Sequence, residues 1–81
     1  MKTVTYARLD EVLKSLGFTS YEPEKGTRVY RHSQSGARVT FPIFPANQKV
    51  HEHHLVGARA ILDAFGIADE PEFTSRLQKA G

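Results

Sequence analysis

The run from Gly26 to Pro42 constrains this chain more than any other. It reads Gly-Thr-Arg-Val-Tyr-Arg-His, then Ser-Gln-Ser-Gly, then Ala-Arg-Val-Thr-Phe-Pro. Two short stretches rich in β-branched and aromatic residues flank a polar segment that ends in glycine, the pattern of a β-hairpin. Alternation sets Thr27, Val29 and Arg31 on one face of the first arm and Arg28, Tyr30 and His32 on the other. In the second arm Val39 and Phe41 oppose Arg38 and Thr40. Taking Val29, Val39 and Phe41 as the core set leaves Arg28, Tyr30, His32, Arg38 and Thr40 on the open face. A one-residue slip in either arm inverts that assignment.

The rest of the chain is organised around this strand pair. Residues 1–5 read as an extended or disordered start. Thr5 can cap a helix through its hydroxyl, and Tyr6, Leu9, Val12, Leu13 and Leu16 then recur at helical spacing. Gly17 supplies the stop, with Phe18 folding back towards Leu13. Phe18 to Glu22 predicts a short lead-in strand. Residues 42–53 predict an ordered loop holding Ile43 and Phe44, which either cover the edge of the core or form an exposed patch for a partner. A second helix is expected from about His54 to Phe65, with Leu55, Ala58, Ile61, Leu62 and Phe65 as its buried stripe and Gly66 as its stop. Asp69, Glu70 and Pro71 suit the first turn of a third helix over about 69–80, which docks through Phe73 and Leu77. The expectation is a single α+β domain spanning 1–81. Its three-stranded antiparallel sheet is covered on one face by helices, in the α-β-β-β-α order of the double-stranded-RNA-binding-like (dsRBD-like) fold.

Charge separates along the chain although the total is only +2. Residues 25–59 carry Lys25, Arg28, Arg31, Arg38, Lys49 and Arg59 against the single acid Glu52, a net of +5. The flanking segments are net acidic. Such a distribution predicts a basic face, the footprint of polyanion binding, against the plainer reading of arginines on a solvated sheet. The chain has no cysteine, which excludes disulfides and thiolate metal sites and suits a reducing cytoplasm. It has no stretch long and apolar enough to span a membrane, and its start lacks a signal-peptide pattern.

Several segments together resemble the HicA toxin family. They are Leu16-Gly17-Phe18 at the end of the first helix, Val29-Tyr30-Arg31-His32, Gly36, Ala37-Arg38-Val39-Thr40-Phe41-Pro42, and Leu62-Asp63-Ala64-Phe65-Gly66-Ile67. The resemblance covers residues 5–67. It implies a small monomeric dsRBD-like protein that cleaves mRNA without metal or cofactor, and a HicB-like antitoxin that masks it. In the family a histidine near the start of the second strand, in a Gly-Ser-His motif, does the chemistry. This chain reads Gly26-Thr27-Arg28 there. The motif position holds Thr27 or Arg28, and neither is a general base.

The remaining candidates are therefore read from their own chemistry. His32, at the far end of the same strand, is the candidate catalytic base, or else a histidine at a hairpin tip. Lys25, Arg28, Arg31 and Arg38 are the candidate phosphate contacts, with Tyr30 as a base-stacking residue or a strand-packing one. His51, His53 and His54 offer metal-ligand chemistry, an RNA contact, or a plain loop with His54 packing at the start of the helix. The alternative to an RNA-binding toxin is a non-catalytic protein-interaction module derived from one.

Overall fold

The computed structural model describes residues 4–78. Its elements are α1 (Tyr6–Ser15), β1 (Phe18–Glu24), β2 (Thr27–His32), β3 (Arg38–Pro42), α2 (Glu52–Ala64) and α3 (Glu70–Gln78). The strands form one antiparallel sheet in the order β1-β2-β3. The helices lie on one face of it, giving the α+β layout and helix-first order expected from the sequence. Residues 1–3 and 79–81, which include the first residues of the expected extended start and the last turn of the expected third helix, lie outside the described residues.

Local chemistry accounts for the helix boundaries. The Thr5 hydroxyl accepts the Arg8 N–H at 3.3 Å, capping α1. Two further first-turn donors are met from a distance: Tyr6 N–H bonds the Gln48 carbonyl and Ala7 N–H the Ala46 carbonyl, each at 3.0 Å. The loop between β3 and α2 thus completes the cap, and Val50 at its end is buried in the core. Gly17, at φ 99°, ends α1. A side chain at Gly17 would bring its Cβ within 3.2 Å of His32 Nε2, so the position needs glycine twice over. At the end of α2, Gly66 N–H bonds the Asp63 carbonyl and Ile67 N–H bonds the Leu62 carbonyl, a paired arrangement that closes the helix and returns Ile67 to the core. Asp69 Oδ1 accepts the Glu72 N–H at 3.0 Å and starts α3.

Three boundaries differ from expectation. β1 runs to Glu24 rather than Glu22, because its register shifts between Tyr21 and Glu24 and so passes Pro23 without needing a ladder donor there. α2 begins at Glu52 rather than near His54, with His51 as its cap residue and the Glu52 carboxylate in the first turn, where the helix dipole favours it. Phe65 is 49% exposed rather than part of the buried stripe. It sits at the C-cap, and Ile67 and Ala68 fold back on Leu62 in its place.

The main correction concerns which face β2 shows. Residues directly opposite in a sheet point to the same side, and the pairs are Arg28 with Phe41, Tyr30 with Val39, and Arg31 with Arg38. Val39 and Phe41 are in the core, so Tyr30 and Arg28 are on the helix side with them. His32, paired with the buried Phe18, is there too. The open face carries Thr27, Val29, Arg31, Arg38 and Thr40. Val29 is 5% exposed yet stands apart from the core cluster that contains Tyr30, Val39 and Phe41. The sequence reading chose valine over tyrosine as the buried residue of β2. The structure buries both, but it is the tyrosine that turns inward to the core, because α1 supplies Asp10 to bond its hydroxyl.

This register makes a checkable statement about energies. Two arginines directly opposite repel, and a carboxylate in place of one should attract. Arg31→Glu is expected to raise stability by ~0.2–1 kcal/mol in urea titrations, and the gain should vanish in an Arg38→Ala background. Arginines on opposite faces would show no such coupling.

Candidate nucleic-acid interface

The open face of the sheet has two adjoining rows. One runs Thr19, Arg31, Arg38 across the three strands, and the next runs Tyr21, Val29, Thr40. Arg31 and Arg38 are exposed. Their lack of partners sets them apart. Arg8, Lys14, Arg28, Arg59 and Arg76 each lie within salt-bridge distance of a carboxylate. Among the described residues, Arg31, Arg38, Lys25 and Lys49 do not. Lys25 is exposed in the turn joining β1 to β2, and Lys49 in the loop before α2. Two unpaired guanidinium groups side by side on an uncovered sheet concentrate positive potential where a phosphate chain could lie flat.

The other predicted contacts are elsewhere. Arg28 is on the helix side, 3.4 Å from the Glu22 carboxylate, and the neighbouring Tyr30 hydroxyl is the first cause holding its guanidinium above its usual range. Tyr30 is 4% exposed, and its ring meets Phe41 edge-on. Its hydroxyl donates to Asp10 Oδ1 at 2.7 Å, and Asp10 also takes Lys14 at 3.2 Å. Burial first, and the Asp10 carboxylate second, push the Tyr30 hydroxyl up from 10 to about 12, with Arg28 opposing. Tyr30 therefore presents no open ring face to a base. It pins α1 to the sheet, and with Arg28 it lines a groove of about 420 Å³ between α1 and the hairpin.

His32 is half-buried on the helix side, its ring 5.2 Å from that of Phe18. The Ser35 N–H donates to His32 Nδ1 at 3.2 Å, so this nitrogen is an acceptor and the ring proton is on Nε2. The Ser35 hydroxyl lies 2.8 Å from the same nitrogen and accepts the Ala37 N–H at 3.1 Å. The imidazole thereby organises the turn between β2 and β3. Its lone pair is committed to Ser35, and in this arrangement the ring offers a proton at Nε2 rather than a base.

The histidines before and within the start of α2 gather around Tyr6. The Tyr6 hydroxyl accepts the His51 N–H at 3.3 Å and lies 2.7 Å from His54 Nδ1. Its ring stacks on Phe44 at 4.5 Å. His53 and His54 rings are 4.2 Å apart, and His51 is within 6 Å of both. No three metal-ligating side chains among the described residues are placed to hold an ion together. The cluster is a joint between the N-termini of α1 and α2. Burial, then the His53 and His51 rings, lower the His54 pKa from its ordinary 6.5. Two features of the sequence point towards this joint: the large apolar side chains in a loop with two prolines, and a histidine at the start of the second helix, where packing is one of its readings.

Tyr21 was missed as a site residue. It is on the open face and 45% exposed. Its position two residues from Thr19 in an alternating strand was the available signal. No family model, curated protein or solved structure matches the chain.

Two pH dependences follow. Tyr30 binds its proton more tightly folded than unfolded, so stability should fall as pH rises from 10 to about 12. Tyr30→Phe should lose a bond worth ~1–2 kcal/mol at neutral pH and flatten that alkaline decline in chemical denaturation. His54 binds its proton less tightly folded, so stability present at neutral pH should be lost as pH falls below 6.5. His54→Gln, which cannot titrate, should reduce that acid slope in the same assay.

Proposed function

We propose that the chain is an RNA-binding domain of the HicA-like toxin type, acting on mRNA in the cytoplasm and restrained by a HicB-like antitoxin. The observation that carries this reading is the pair Arg31 and Arg38, opposite each other on the uncovered sheet face with no carboxylate at hand. Like charges held together in this way cost stability on their own. A row of phosphates offsets that repulsion and releases counterions on binding. Lys25, exposed in the turn before β2, is a further cation with no carboxylate in salt-bridge reach among the described residues, and the segment resemblance to HicA toxins supports RNA as the polyanion.

A second reading has an observation of its own. The family's histidine position holds Thr27 or Arg28, and the His32 lone pair is taken by Ser35. Both favour a domain that binds without cutting, including a protein-interaction module derived from a toxin. Cleavage through His32 would need the Ser35 contact to open so that Nδ1 becomes free as the base for a ribose 2′-hydroxyl.

The test has two arms. Affinity for an oligoribonucleotide should fall steeply with salt, and Arg31→Ala and Arg38→Ala should each reduce the slope of log K against log salt by about 0.7. Binding at low salt that is absent, or indifferent to both substitutions, would sink the RNA reading. Expression in a bacterial host separates the two modes of action. Growth arrest with mRNA cleavage abolished by His32→Ala, in a protein that still melts cooperatively, supports a nuclease. Absence of arrest supports the binding module.

A further inference from the structure

We propose that Tyr21 is the base-stacking residue of the open sheet face, and that this face takes single-stranded rather than duplex RNA. The inference rests on the RNA reading above and deepens it. Tyr21 is the aromatic side chain on that face, and it is 45% exposed although it stands in the paired part of β1. Its cross-strand neighbour is Val29, which is 5% exposed on a face that no helix covers. Cover for Val29 comes from the side chains beside it, and Tyr21 is the largest of these. With nearly half of its surface open on that face, Tyr21 has ring area free for a base to stack on.

The surroundings suit a nucleotide. Arg31 is the diagonal neighbour of Tyr21, roughly 7–8 Å away across the strand pair, and Arg38 is opposite Arg31. A base on the ring and its flanking phosphates on the two guanidinium groups would match each feature of the face to the charge or surface it recognises. Thr19 and Thr40, both exposed in the same two rows, add hydroxyls that bond sugar or phosphate oxygens. In duplex RNA the base faces are occupied by neighbouring bases, and only an unpaired strand can offer one to a side chain. Stacking of this kind tolerates any base, so the face selects strandedness more than sequence.

The experiment compares fluorescence-anisotropy binding of three labelled RNAs at low salt: a mixed-sequence single strand, the same strand annealed to its complement, and an abasic strand with the sugar-phosphate chain alone. The single strand should bind tightest. Tyr21→Leu, which still covers Val29, should weaken single-strand binding ~5- to 150-fold and leave duplex and abasic binding unchanged. Tyr21→Phe, which keeps the ring, should bind as the wild type does. Single-strand binding unchanged in Tyr21→Leu, or duplex bound as tightly as single strand, overturns this inference while leaving the RNA reading intact. Wild-type protein that binds none of the three RNAs overturns both and leaves the face to a protein partner.

Discussion

One hydrogen bond decides which way this protein faces. The Tyr30 hydroxyl reaches from the middle strand to Asp10 on α1 at 2.7 Å. A strand has a period of two, so burying Tyr30 puts Arg31 on the other side, and the hairpin register puts Arg38 next to it. The bare basic face and the packed helical face are thus consequences of a single choice. Burial makes that hydroxyl hard to ionise, and the carboxylate it meets is shared with Lys14, so the contact joins a short polar chain that runs from the core edge out to solvent. Stability of a domain this small is a narrow difference between large terms, and one well-made, partly buried polar contact weighs heavily in it.

The element order was legible because its signals are local. Thr5, Gly17, Gly66 and Asp69 each act on backbone within a few residues, and each acts as its type predicts. The face of β2 was not legible from hydrophobicity, because Val29 and Tyr30 are adjacent and both apolar enough to bury. The turn held the missing information. Closing it on His32 and Ala37 pairs Arg31 with Arg38, and opposite residues share a side. With Val39 and Phe41 inward, Arg38 is outward, Arg31 must follow, and Tyr30 must turn in. Register would have ranked the two choices where residue type could not. The cost of the wrong choice fell on the site: Arg28 and Tyr30 were grouped with the exposed arginines, and Tyr21 was passed over.

Long-range contacts were the other blind spot. The loop from Ile43 to His51 looks like connection in one dimension. In three it supplies carbonyls to the first turn of α1, places Val50 in the core, and carries His51 to the Tyr6 hydroxyl. From the sequence the histidines are open between metal ligands, an RNA contact and a plain loop with His54 packing at the helix start. The structure takes the packing alternative: a His54 ring nitrogen and the His51 backbone N–H meet the Tyr6 phenol where the two helix ends join. His32 shows the same shift in meaning. Its chemistry is that of a proton carrier, while its place is that of a turn-forming side chain.

The irregularities at the rim of the sheet have a consequence for how a bare face can be kept at all. β1 and β3 are both edge strands, each with unpaired backbone groups that another chain's strand could zip onto. β1 breaks its ladder at the bulge around Pro23, between two glutamates, and β3 finishes at Pro42, which has no amide hydrogen to give. Neither rim extends as a long clean template. Growth of the sheet sideways into fibres is disfavoured at both sides, so the uncovered surface is left to meet partners through its side chains alone.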